Sequence, residues 1–133
     1  MSVGSGLIDT SVFIAFESGR HVELEKLPEH PFVSVVTVGE LLAGVHAAED
    51  TDSRAARLST VETIAGATLL QVDSNAAAHW GRLRQRLREN NRRANINDLW
   101  IAATALAHSL PVITQDADFE ILADLGGPQV IRV

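Results

Sequence analysis

Short apolar runs alternate along the chain with segments of helical periodicity, and polar or acidic residues stand where one gives way to the next. Gly6-Leu7-Ile8 is an apolar run ending at Asp9; Thr10-Ser11 follow, and Val12, Phe13, Ile14 and Phe16 continue the pattern. This predicts strand, turn and helix, with the polar triplet at the junction. Gly19 predicts the helix end, and a polar stretch holding Pro28 and Pro31 comes next. Phe32 to Val36 is a compact, mostly β-branched run, which predicts a buried strand.

A helix starting near Thr37 would carry Val38, Leu41, Leu42 and Val45, and Asp50 to Ile64 gives a second helical pattern. Thr68 to Val72 reads as a strand. Ser74 to about Arg88 reads as an amphipathic helix, with Trp80, Leu83 and Leu87 on one face and arginines mostly on the other. Glu89 to Ile96 is a polar loop or frayed end, and Asn97 to Ser109 is an alanine-rich helix. Pro111 leads into a strand, Val112-Ile113-Thr114, that ends at Gln115-Asp116. Asp118 to Leu125 is expected to be helical, Gly126-Gly127-Pro128 a turn, and Val130 to Val133 a last strand. Strands alternating with helices in this way predict an α/β fold whose parallel sheet is covered on both faces. No repeat, linker or low-complexity tract interrupts it, and 133 residues suit one domain, 1–133.

Composition narrows the function. The chain has no cysteine, so disulfides, thiolate metal sites and cysteine nucleophiles are excluded. No apolar run approaches the roughly 20 residues of a membrane-spanning helix. Met1 to Gly6 lacks the basic and long apolar regions of a signal peptide and reads as a short flexible lead-in, so a cytoplasmic protein is expected. A net charge of −6 argues against a protein that coats nucleic acid non-specifically. Six of the eleven basic residues nevertheless fall within twelve positions, at Arg82, Arg84, Arg86, Arg88, Arg92 and Arg93. Such a run is either a solvated helix face or a track for phosphates, and its closeness to Asp98 favours substrate, with Arg82, Arg86, Arg92 and Arg93 as the expected nucleic-acid contacts.

Four carboxylates sit at element junctions: Asp9 after the first strand, Glu40 early in the helix after the second, Asp98 opening the alanine-rich helix, and Asp116 after the fourth strand. Each has a structural alternative. Asp9 and Asp116 suit helix N-caps, Glu40 lies three residues after Thr37 as in a capping box, and Asp98 complements a helix dipole. In open parallel sheets, however, ligands bind beyond the carboxyl ends of the strands, where the strand order reverses. Two carboxylates about 4 Å apart repel by roughly 4 kcal/mol at an effective dielectric of 20. That is a heavy load for a domain whose whole stability is about 5–15 kcal/mol. A divalent cation removes it, and hard oxygen donors favour Mg²⁺ or Mn²⁺ over zinc. The five histidines show no metal-ligand spacing and none is assigned a catalytic role.

The segments Leu7-Ile8-Asp9-Thr10-Ser11-Val12-Phe13-Ile14, Thr37-Val38-Gly39-Glu40-Leu41-Leu42-Ala43-Gly44, Asn97-Asp98-Leu99-Trp100-Ile101-Ala102-Ala103 and Val112-Ile113-Thr114-Gln115-Asp116-Ala117-Asp118-Phe119 resemble PIN-domain proteins, and more narrowly VapC-type toxins of type II toxin–antitoxin pairs. The resemblance implies a three-layer α/β sandwich with a mostly parallel central sheet. It implies an Mg²⁺- or Mn²⁺-dependent endoribonuclease with Asp9, Glu40 and Asp98 as metal-binding acids and Asp116 as the fourth, a place that Asp118 contests. Thr10, Ser11 and Thr114 match hydroxyl residues lining the site. The resemblance also implies a homodimer and a cognate VapB-type antitoxin, one of whose basic side chains would compete with the metal. In this picture Trp100 belongs to the core or a dimer interface. Three rival readings fit less well. A haloacid-dehalogenase-type phosphatase wants a second aspartate where this chain has Ser11, and a receiver domain needs a lysine after its last core strand, whereas the only lysine is Lys26. A catalytically inactive PIN-like binding module is disfavoured by the intact acidic set.

Overall fold

The computed structural model describes residues 3–133, so the lead-in expected at Met1 and Ser2 lies outside the described residues. In chain order the elements are β1 (Ser5–Ile8), α1 (Thr10–Ser18), a 3-10 turn at Leu24–Lys26, β2 (His30–Ser34), α2 (Val35–Ala47), α3 (Thr51–Ile64), β3 (Thr68–Leu70), α4 (Ser74–Glu89), α5 (Ile96–Ala107), β4 (Val112–Thr114), α6 (Phe119–Asp124) and β5 (Val130–Arg132). The strands form one five-stranded sheet in the order β3-β2-β1-β4-β5, every neighbouring pair parallel. The order reverses between β1 and β4, and a cleft is expected beyond their carboxyl ends.

Strand alternation sorts the core into two layers. Leu7 and Val112, opposite one another in register, face one side and pack with Leu83 and Leu87 of α4, Leu99 and Ile101 of α5, and Phe119 and Leu122 of α6. Ile8 and Ile113 face the other side, against Val12 and Ala15 of α1, and Val33 continues that side with Leu41 of α2 and Ile64 of α3. Helices therefore cover both faces, as the alternating pattern and the resemblance led one to expect. Trp80 and Trp100 stack between α4 and α5 with ring centroids 5.0 Å apart. Among the described residues no helix is long and apolar enough to cross a membrane.

Several boundaries differ from the sequence reading; β3, for example, stops at Leu70 rather than Val72. The strand expected at Phe32 to Val36 stops at Ser34, which caps α2 by accepting the Val36 amide at 3.1 Å. Val35 and Val36 are already helical, so Thr37 is not the cap and Glu40 lies in the second turn, outside any capping box. At the amino end, β1 takes in Ser5 ahead of the Gly6-Leu7-Ile8 run expected as a strand. Gly6 is needed there, because a Cβ would meet Ile113 Cγ1 at 2.8 Å. Ile113 is fully buried and has little room to move. Gly6→Ala should therefore cost about 1–3 kcal/mol. The check is urea unfolding, with a lower midpoint at unchanged slope.

Candidate active site

Beyond the carboxyl ends of β1 and β4 lies an open cleft of about 250 Å³, lined by Asp9, Thr10, Ser11, Ile14, Glu40, Asn95, Asp98, Asp116 and Asp118. All five acidic candidates of the sequence meet there. Asp9 sits at the β1–α1 junction, where its side chain caps α1 by accepting the Ser11 amide at 3.3 Å. Asp98 stands in the first turn of α5, which Asn95 caps by accepting the amides of Asn97 and Asp98. Asp116 and Asp118 come from the loop after β4. Glu40 reaches the cleft from α2.

Hydroxyls fix two of the acids. Asp9 Oδ2 accepts from Ser11 Oγ at 2.7 Å and from Thr114 Oγ1 at 2.9 Å. Those two hydroxyl oxygens are 3.1 Å apart, and the amides of Gln115 and Asp116 donate to Ser11 Oγ and Thr114 Oγ1. Each hydroxyl is thus held from behind by the β4–α6 loop while it holds Asp9. Neither donates to Asp9 Oδ1. Thr10 Oγ1 lies 2.7 Å from Glu40 Oε1 and 3.0 Å from Thr37 Oγ1, and its single proton serves the carboxylate. Asp116 is not a cap of α6. Its carboxylate accepts the Asp118 amide at 2.9 Å in a local turn, and Asp118, at the cap position, makes no capping bond of its own.

The electrostatics follow from this crowding. Burial pushes the Asp9 carboxyl above its ordinary value, and the Ser11 and Thr114 hydrogen bonds pull back against it. Asp98 is pushed up to about 7, first by burial and then by the negative charge of Asp9, Asp116, Glu40 and Asp118. Among the described residues, no three acidic or histidine side chains are closed around a single metal position. The acids stand around the cleft instead. The donor set still fits a hard divalent cation. Its acidic members offer only carboxylate oxygen, and Asp98 is raised by burial first and then by four neighbouring negative charges that a cation would offset.

Two lining residues lie outside the sequence expectations. Asn95 falls in the polar segment expected as a loop, although an Asn before an apolar helical run is an N-cap signal. Ile14 reads in the sequence only as part of an apolar helix. The arginines divide. Arg86 Nη1 donates to the Leu125 carbonyl at 2.9 Å, and Arg82 lies against the His79 ring. Arg92 and Arg93 line a separate cavity.

A family model described as the PIN domain matches residues 6–125. The chain is 51% identical over 129 residues to ribonuclease VapC5 of Mycobacterium tuberculosis, covering 97% of this chain and 96% of that one. It is 40% identical over 126 residues to ribonuclease VapC4 of the same organism, covering 94% and 96%. Its backbone is similar, with a TM-score of 0.91 and 48% identity, to a crystal structure of VapBC-5, a member of the VapBC family of toxin–antitoxin systems from Mycobacterium tuberculosis; the match covers 98% of this chain and 99% of that one.

Proposed function

We propose, since this chain belongs to the PIN-domain family, that its acidic cleft is the active site of a divalent-cation-dependent endoribonuclease. The protein is a ribonuclease of the VapC type, the toxin of a toxin–antitoxin pair, neutralised by a cognate VapB-type antitoxin. The observation that carries the site assignment is the gathering of Asp9, Glu40, Asp98, Asp116 and Asp118 around one cleft, where burial and then the neighbouring charges push Asp98 up to about 7.

Asp9, Asp98, Glu40 and one of Asp116 and Asp118 would hold Mg²⁺ or Mn²⁺, the last place favouring Asp116 because it is the less exposed of the two. When bound, such an ion makes water a stronger acid and offsets charge on the phosphoryl oxygens. The chain's own residues do the positioning. Ser11 and Thr114 fix the rotation of the Asp9 carboxylate through Oδ2. Thr10 does the same for Glu40 through Oε1, leaving Oε2 for the cleft. Asn95 anchors the first turn that presents Asp98. No histidine lines the cleft, so a histidine base has no place in this reading.

A second groove, of similar size, runs beside the cleft between α1, α2 and α3, lined by Ile14, Glu17, Glu40, Leu41, Gly44 and Arg57. It shares Ile14 and Glu40 with the cleft, and exposed Phe16, Leu42 and Leu58 lie on the same three helices. This apolar surface supports a docking area for protein partners, an antitoxin or a second copy in a homodimer. A cytoplasmic location fits the absence of cysteine and an RNA substrate.

The reading is tested by incubating antitoxin-free protein with labelled RNA, before and after chelation. Cleavage should vanish with EDTA and return with Mn²⁺ or Mg²⁺; undiminished cleavage in EDTA would refute the cation dependence. Thr114→Val should lower kcat about 10–100-fold, the usual scale for losing a partner that orients a metal-binding side chain. A Thr114→Ser variant, which keeps the hydroxyl, should recover most of that activity in the same assay.

A further inference from the structure

The α4–α5 connection is locked, and it holds a cluster of cations that the acidic cleft does not account for. Asn90 ends α4, and Asn91 turns into the left-handed region at φ 52, which asparagine tolerates better than most residues. The Asn91 amide then donates to the Arg88 carbonyl at 3.2 Å and the Arg92 amide to the Leu87 carbonyl at 2.8 Å. These are the two bonds of a Schellman ending, so Arg92 is tied to the last turn of the helix. Arg84 and Arg88, one turn apart, share a face of α4. Those two, with Arg92, Arg93 and Asn91, line one cavity of about 360 Å³ that contains no acidic residue.

Most of the other arginines are engaged: Arg54, Arg57 and Arg86 donate to the carbonyls of Ala48, Gly44 and Leu125, and Arg132 pairs with Glu120. Among the described residues, none of the four cavity arginines has a carboxylate partner. Favourable placement at a helix C-terminus explains Arg88 alone, since Arg84 precedes the last turn and Arg92 and Arg93 follow it. Four arginines lining one cavity without a carboxylate partner repel one another, and an anion offsets that repulsion while meeting their fork of donors. The position of the cavity suggests which anion. Arg93 is two residues from Asn95, at most about 7 Å of chain, and Asn95 lines the acidic cleft. Two residues of chain therefore separate the lining of the arginine cavity from the lining of the acidic cleft.

We propose that Arg84, Arg88, Arg92 and Arg93 form a preorganised phosphate subsite, which grips backbone phosphates of the RNA strand next to the bond being cut. This rests on the ribonuclease reading of the cleft and adds to it where the strand leaves the site. It also moves the RNA contact expected at Arg82 and Arg86 one helical face over, to Arg84 and Arg88.

The test uses the full chain carrying Asp9→Asn, so that RNA stays intact, and measures binding of a short fluorescent single-stranded RNA at several salt concentrations. Adding Arg88→Gln and Arg92→Gln should weaken binding on the order of tenfold per arginine. It should also flatten the dependence of log K on log salt by about 0.7 for each phosphate no longer neutralised. Arg20→Gln, just past the carboxyl end of α1, should leave both unchanged and so exclude a general charge effect. All the substituted arginines are exposed, and equal thermal melting of the variants verifies that they fold. Unaltered affinity and slope in the double variant would overturn the subsite. So would loss of binding to a polyglutamate probe with RNA binding intact, which would assign the cavity to an acidic protein segment. If RNA binding drops as expected but the unsubstituted chain never cuts RNA with Mn²⁺ present, the subsite stands and the nuclease reading falls.

Discussion

Asp9→Asn should abolish RNA cleavage, by at least about a thousandfold on the scale set by removing one strong electrostatic stabiliser from an active site, and it should do so without unfolding the protein. Asparagine keeps an oxygen to accept from Ser11 and Thr114, so the capping role and the tie to β4 survive. What disappears is the buried negative charge. That charge also raises Asp98, so the variant should show a lower Asp98 pKa than the parent, measurable by carboxyl carbon NMR titration. Cleavage persisting in Asp9→Asn would remove Asp9 from the catalytic set, while an unfolded variant would show that its hydrogen bonds need the full carboxylate.

The second large effect concerns pH. In the folded chain, without divalent cations, Asp98 holds its proton up to about pH 7, whereas in the unfolded chain an aspartate releases it near 3.8. Between those values the native state binds the extra proton. Stability is then greatest below about pH 4 as far as this group is concerned, and it falls as pH rises toward 7. The full rise would correspond to about 4 kcal/mol, of which on the order of 1–2 kcal/mol should survive, because Asp98 is partly exposed and screened. On a domain of this size that is several degrees of melting temperature. Melting in EDTA should therefore fall between pH 5 and pH 8, and Mn²⁺ should raise it most at pH 8, where Asp98 has lost its proton. A melting temperature that rises over this range in EDTA, or a Mn²⁺ effect that is larger at pH 5, would contradict the proposed crowding.

Much of this architecture could be read from the residues. The five strands, the long helices and the place of Asp9 at a strand end follow from apolar runs and their punctuation, and the four motifs were enough to indicate the PIN-domain family. The failures have specific physical sources. Val35 and Val36 are β-branched and look like strand, yet Ser34 offers a better cap than Thr37, so the helix starts earlier. That shift removes the capping role of Glu40, which instead accepts from Thr10 across thirty residues, a contact no local pattern contains. The 3-10 turn at Leu24–Lys26 is too short to display a period. The arginine run is a matter of helical phase. Adjacent arginines look equivalent in sequence, but α4 turns Arg86 toward Leu125 and brings Arg84 and Arg88 together around a different cavity.

The hydroxyl of Thr114 reaches Asp9 across 105 residues, nearly the length of the chain. During synthesis at about 5–20 residues per second, Asp9 is made roughly 5–20 s before the strand that will steady it. Until β4 pairs with β1, its carboxylate has neither the Thr114 hydroxyl nor the β4–α6 loop that holds Ser11 in place. Order of synthesis is thus written into the site: the acid comes first, and the hydroxyl and loop that set its rotation come only with β4.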